Sequence, residues 1–353
     1  MLEALIDRLG EPVMLFGFGL IIGAVFGAAA QHSRFCLRGA TLEVGAFSIG
    51  PRMLVWIIVF ATAVSVTQGA VGLGLLDVSA ARQFAATGSL SGAIIGGLMF
   101  GAGMILARGC VSRLLVLSAT GNLRAIMTGL VVTLVAQASL RGALSPAREM
   151  LARLWTVEGG AGRSLGERLG IGSGAAGAVS AIVLLAALVM AFRRASAPSH
   201  VVAALFVGLA VAAGWIATAS LAAVSLEIVP VSSITFTGPS ADTLMGLVNE
   251  RYLPLSFAVG LVPGVFAGSL AMSLATREFG VARFGPDAPM ERYLIGAVLM
   301  GFGSMLAGGC AVGAAVSGGA LLSLTAWVAG ASMWVGALLM PLFFPSLAKE
   351  RPR

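Results

Sequence analysis

Nine apolar runs, each close to the length of a membrane span, punctuate this chain of 353 residues: 12–30, 53–76, 91–107, 123–140, 173–192, 201–221, 253–275, 293–307 and 321–344. A hydrocarbon core about 30 Å thick needs roughly 20 apolar residues in a helix to cross it. Inside lipid every backbone N–H and C=O must find a partner, which leaves only helices and closed barrels. Glycine and alanine are too dense in these runs for the alternating pattern of barrel strands. Composition agrees: 58% of residues are hydrophobic and 10% charged, with a mean hydropathy of +0.98, whereas a soluble domain carries about a quarter charged residues. The expectation is an all-α integral membrane protein of nine transmembrane helices plus short half-inserted ones, forming one polytopic domain over residues 1–353.

The net charge of +7 does not point to nucleic acid. Its arginines sit between apolar runs and form no continuous basic stripe, which is the pattern of topology signals. The leader "MLEALIDRLGE" sets Glu3, Asp7 and Glu11 against Arg8, whereas a cleavable signal needs a positive start; 12–30 is read as a retained first span. Counting Lys and Arg on alternate sides of nine spans gives 8 on the side of the N-terminus and 14 on the other. The positive-inside rule then places the N-terminus outside and the C-terminus in the cytoplasm, with the tail "KERPR" as a topology anchor.

Glycines four apart, as in Gly19, Gly23 and Gly27 or Gly97 and Gly101, let helix backbones approach closely in lipid. Two polar stretches interrupt the runs. Residues 141–172 carry mixed charge and an amphipathic turn, "SPAREMLARLW", and read as a linker between halves. Residues 224–246, rich in Ser and Thr, fit either an exterior loop or a broken re-entrant segment; Glu227 and Asp242 within them are expected to be solvated.

One apolar segment occurs twice. "GGLMFGAGMILARGC" at 96–110 and "GAVLMGFGSMLAGGC" at 296–310 share seven of fifteen residues, including the terminal Cys110 and Cys310. The chain has only three cysteines, so this coincidence outweighs the ordinary reading of a buried cysteine as apolar filler. Such duplication marks transporter folds whose site lies where the copies meet. With nine spans the two cysteine ends fall on opposite sides. The expected halves are residues 12–140 and 173–344, pseudo-symmetric and inverted.

After each cysteine comes a run too short to cross a bilayer, "VSRLLVLSATG" and "AVGAAVSGGA". A long helix, a break at Gly109 or Gly309 and a second half-helix present free N–H groups, which favour an anion. The third cysteine stands in "AQHSRFCLRGA". Arg34 and Arg38 flank Cys36 and, on one helix, share a face that draws anions inward; the ordinary alternative is interfacial arginine. Arg108 and Arg113 bracket Cys110 in the same manner, and charged residues near the membrane interior are functional candidates. His32 stays outside the core site. Three scattered cysteines give neither a disulfide framework nor a metal-ligand spacing, so no metal or other cofactor is expected.

At "QHSRFCLRGA" and the two "GC"-terminated copies the chain resembles the YeeE/YedE family of inner-membrane thiosulfate transporters. The motifs run from residue 31 to 310, and the flanking spans fit the same layout. The resemblance implies nine spanning helices with short half-inserted ones in an hourglass, functional cysteines at Cys36, Cys110 and Cys310, a bacterial inner-membrane location, and a cytosolic sulfur-carrier partner of the TusA type. Two departures bear on the substrate. Gly313 follows Cys310 where Arg113 follows Cys110, and "LRGATLEVGAFSIGPR" lacks the family's acidic–basic pattern.

A thiol that keeps its proton can donate a weak hydrogen bond to the soft terminal sulfur of thiosulfate, whereas a thiolate would repel the dianion. The expected function is therefore uptake of thiosulfate, or a related sulfur oxyanion, past three weak thiol stations at Cys36, Cys110 and Cys310. Gly109, Gly309, Arg34, Arg38, Arg108 and Arg113 complete the expected substrate-binding set. The rival readings are a membrane sulfurtransferase that forms a persulfide, which needs an activated thiolate and a base, and a transporter of soft metals or selenium compounds.

Overall fold

The computed structural model describes residue 8 and residues 10–194, 197–225, 229–283 and 289–344. Most of the acidic leader, Glu227 and the "KERPR" tail lie outside these described residues. Nine helices among the described residues are long and apolar enough to span a membrane, and the only strands there are a two-residue pair, β1 (Gly88–Ser89) and β2 (Thr156–Val157).

In chain order the described helices of eight residues or more are α1 (Glu11–His32), α2 (Leu37–Gly45), α3 (Pro51–Gly72), α4 (Leu90–Leu106), α5 (Val111–Ala119), α6 (Leu123–Arg141), α7 (Ser145–Arg153), α8 (Ser173–Arg193), α9 (Pro198–Ala222), α10 (Thr237–Asn249), α11 (Phe257–Ala275), α12 (Met290–Leu306), α13 (Ala311–Gly318) and α14 (Leu324–Phe343). The sequence punctuates them as expected. Proline stands in the first turn of α1, α3 and α9, where its missing N–H costs nothing. The side chains of Ser89, Asn122 and Ser256 cap α4, α6 and α11, each such cap contributing about 1 kcal/mol.

Packing is by bare backbone. Gly19, Gly23 and Gly27 of α1 lie against the carbonyls of Phe257, Leu261 and Val265, and Gly260, Gly264 and Gly268 of α11 lie against those of Phe16, Leu20 and Ala24. Both sets of numbers rise together, so α1 and α11 run parallel. Between α4 and α12 the contacts are reciprocal. A Cβ added at Gly96 would stand 2.5 Å from the Gly303 carbonyl oxygen, and one at Gly303 would stand 2.7 Å from that of Gly96. The corresponding distances for Gly103 and Gly296 are 2.6 and 2.7 Å. Here one number rises as the other falls, so the two cysteine-bearing helices run antiparallel. Without a hydrophobic drive between helices in lipid, such close approach is what holds the bundle.

Residues 230–236 are neither an exterior loop nor a helix. They run as irregular chain through the interior, with Ile234 and Phe236 fully buried. Their polar groups are matched. Ser317 donates to the Ile234 carbonyl at 2.6 Å, Ser233 to that of Val211 at 2.6 Å, and Thr218 to that of Ser232 at 2.7 Å. Non-helical backbone at membrane depth survives only where protein or a polar cavity surrounds it.

Candidate functional site

The three cysteines occupy one local structure, built three times. Each is the residue before a short helix: Cys36 before α2, Cys110 before α5, Cys310 before α13. Each is preceded, two residues earlier, by a residue in the left-handed region: Arg34 at φ 55°, Arg108 at φ 57° and Gly308 at φ 84°. The long helix before each closes with the same bond, from the N–H just before the cysteine to a carbonyl five residues back. These are Phe35 to Ala30 at 3.2 Å, Gly109 to Met104 at 3.1 Å and Gly309 to Ser304 at 2.8 Å. That bond and the left-handed turn are the usual helix stop. Arginine in place of glycine in this turn costs roughly 1 kcal/mol or more, and the chain bears it twice.

The turn overturns one expectation. Arg34 and Arg38 do not share a helix face, because the chain breaks between them and Arg38 lies in the first turn of α2. Cys110 and Cys310 are buried, at 2% and 1% exposure, and Cys36 is half-buried. Cys36 and Cys110 lie close to each other. The Cys110 sulfur also lies 3.2 Å from the Ser112 hydroxyl, and Cys310 accepts the Gly313 N–H at 3.5 Å. The starts of α2 and α5 carry no side-chain cap, and the first amides of a helix have no partner within it. The α13 segment is wound as a π-helix, a form that concentrates at functional sites.

A polar chain surrounds the Cys36–Cys110 pair. Arg113 donates to the Gln31 side-chain oxygen at 3.2 Å, Gln31 donates to Glu278 at 2.9 Å, and Arg34 pairs with Glu278 at 3.2 Å. Burial opposes ionisation of Glu278, yet its bonds from Arg34 and Gln31 win and hold its pKa below the ordinary carboxylate value. His32 packs edge-on against His200, ring centres 5.2 Å apart, beside this chain. Arg108 and Arg38 also have polar or charged interactions.

On the Cys310 side a cavity of about 510 Å³ reaches Gly309 and Gly313 and is lined by Arg82, Arg141, Arg148 and Asp242. Arg82 donates to the Gly308 carbonyl at 3.0 Å, at the left-handed turn itself. Asp242 faces this cavity, and desolvation there raises its pKa, with Arg141 pulling the other way. Asp242 is exposed, as the sequence suggested, and what the fold adds is its place in the wall of this cavity. Sequence reasoning also missed Gln31, although it stands five residues before Cys36, and Arg82, Arg141, Arg148 and Glu278, which lie far along the chain from any cysteine. The residues Gly109 and Gly309 are not equivalent: a Cβ at Gly309 would meet the Ala314 nitrogen at 2.9 Å, whereas at Gly109 the nearest atom is 3.5 Å away.

The family described as sulphur transport matches residues 32–339, which includes all three cysteine units. This chain belongs to the sulphur transport family. It is 26% identical over 341 residues to a protein of Escherichia coli (strain K12) named thiosulfate transporter TsuA, covering 92% of this chain and 91% of the relative. A protein of the same name from Spirochaeta thermophila is 27% identical over 331 residues, 88% of this chain and 93% of the relative. The likeness to transport proteins thus spans the whole membrane domain, and the family assigns this chain to transport rather than to catalysis.

Proposed function

We propose that this chain takes thiosulfate across the bacterial inner membrane, handing it between Cys310 and the Cys110–Cys36 pair. The observation that carries the reading is the threefold recurrence of one unit, a helix stop followed by a cysteine at the mouth of a short helix. Such a unit offers a thiol and open backbone N–H groups to the same ligand. Thiosulfate is a dianion with a soft sulfur at one end and a sulfonate at the other. The thiol donates to the soft sulfur, and the helix N-terminus offsets the charge of the sulfonate. Weak stations in series favour passage over trapping.

The cavity with Arg82, Arg141 and Arg148 is the capture vestibule in this reading, drawing a dianion by its field. The linked Arg113, Gln31, Glu278 and Arg34 form the far mouth. The arginine count along the loops puts the vestibule outside and the far mouth in the cytoplasm, where a TusA-type sulfur carrier would receive the cargo. Arg38 and Arg108 belong to the same positive surroundings, and Gly109 and Gly309 let the anion approach the backbone.

We also read the fold as two inverted halves related by an offset of about 200 residues. Cysteine units at 110 and 310 correspond at this offset, as do the starts of α2 and α10 at residues 36 and 236. Exchanging α1, α2, α3, α4, α5 and α6 for α9, α10, α11, α12, α13 and α14 maps the helix packings onto one another: α1 on α11 becomes α9 on α3, and α4 on α14 becomes α12 on α6. This pairing supports a second half that begins near residue 198, with α8 as an extra helix between the halves.

The test is uptake of radiolabelled thiosulfate by vesicles reconstituted with purified protein. Wild type should accumulate the label, and sulfate should compete poorly because it lacks the soft sulfur. Equal competition by sulfate would remove the thiol's role, and absence of uptake would remove thiosulfate as substrate.

A further inference from the structure

Away from the cysteines, between α3, α8 and α14, two joined cavities share Gly166, Ile171 and Leu322 in their walls. The first, of about 700 Å³, lies at the ends of α3 and α8 and has both polar and apolar walls. Asp77, Glu167, Ser164 and Ser173 line it, and its lining holds no lysine, arginine or histidine, although the chain carries a net charge of +7. The second, of about 490 Å³, continues along α3 and α8 between Trp56, Phe60, Val179, Val183 and Trp327. Its one hydroxyl, on Ser180, is spent on the Ala61 carbonyl at 3.0 Å.

We propose that this cleft holds a phospholipid with a primary-amine headgroup, of the phosphatidylethanolamine type. Three properties carry this. The apolar part runs along α3 from Val64 to Trp56, which is ~12 Å at 1.5 Å per residue and close to the ~15 Å depth of one leaflet. Its wall is apolar throughout except for Ser180, whose hydroxyl is already bonded, and that lining suits acyl chains. The polar part then selects the head. The carboxylates of Asp77 and Glu167 attract an ammonium and repel a purely anionic lipid, and the phosphate finds the first amides of α8, which Gly172 leaves without a side-chain cap. Helix α8 carries its apolar side chains outward, with Val179, Ile182 and Leu185 each at least 60% exposed, so lipid has direct access to the cleft.

The experiment places the full-length protein in phosphatidylcholine vesicles doped with lipids brominated along the acyl chain and follows tryptophan fluorescence. Brominated phosphatidylethanolamine should quench more than brominated phosphatidylglycerol, with a preference of roughly fivefold from two exposed charge pairs. Comparison with W327F assigns the quenched signal to the groove. The double variant D77N/E167Q should lose the headgroup preference while keeping thiosulfate uptake, and V183F, which fills the groove without adding a fluorophore of this kind, should lower quenching by both lipids. Equal quenching by both headgroups, or a preference that survives D77N/E167Q, overturns the proposal. So does a W327F variant that retains the full headgroup-dependent quenching.

Discussion

In the proposed reading, Cys36, Cys110 and Cys310, each the residue before a short helix, offer a thiol and a helix N-terminus to the same ion. Replacing any one with alanine removes one weak donor and one step of the passage, and uptake should fall by roughly tenfold or more with the protein still reaching the membrane. Serine should rescue little, because its hydroxyl is a shorter and harder partner for a soft sulfur. Wild-type uptake by the triple alanine variant would return all three cysteines to simple packing. Asp242 gives a second test. Its pKa is raised, so its proton is held to a higher pH than that of an ordinary aspartate. Below that raised value the carboxyl is neutral and the vestibule's arginines act unopposed; as pH rises through it, a negative charge appears beside the incoming dianion. Thiosulfate uptake should therefore show a KM that rises over this interval, and Asp242→Asn should lower the KM at neutral pH and flatten the profile. A pH dependence unchanged in Asp242→Asn would place Asp242 outside the ion's path.

Among helices, glycine divides into two kinds that the sequence alone does not separate. Gly103 lies 2.6 Å, measured from an added Cβ, from the Gly296 carbonyl, so Gly103→Leu should force α4 and α12 apart and abolish folded protein in detergent. Gly129, inside α6, has nothing within 4 Å of an added Cβ. Gly129→Ala should leave uptake intact and raise stability by about 0.5–1 kcal/mol, seen as a higher melting temperature. Equal tolerance of both substitutions would dissolve the argument from close packing. The glycines four apart in "GFGLIIGAVFG" announced their helix–helix role from the sequence, but their partners, Phe257, Leu261 and Val265, lie some 240 positions away and no local pattern names them.

For the molecule as a whole, orientation follows from where the loops fall. Ser79 is exposed at the end of α3 near the vestibule, and Ser48 is exposed before α3 on the opposite side. In intact cells a membrane-impermeant thiol reagent should label Ser79→Cys and leave Ser48→Cys unlabelled until the membrane is opened; the reverse pattern would invert the transport direction proposed above. The number of spans, the helical class and the short helices after Cys110 and Cys310 were legible in the sequence, whereas the matching break before Cys36 was not. Each depends on chemistry local to the chain: apolar length against bilayer thickness, and a run too short to cross; the helix stops themselves fall at Arg108 and Gly308, one residue before the expected Gly109 and Gly309. What only the tertiary structure decided is which loops meet. The Arg34–Glu278 pair, the arginines gathered beside Gly308 and the buried path of residues 230–236 bring together groups from distant helices. Their positions are set by the antiparallel crossing of α4 on α12 and the parallel packing of α1 on α11. Charge in a loop is solvated or functional according to what packs beside it, and that neighbour is fixed by the fold and not by the spacing along the chain.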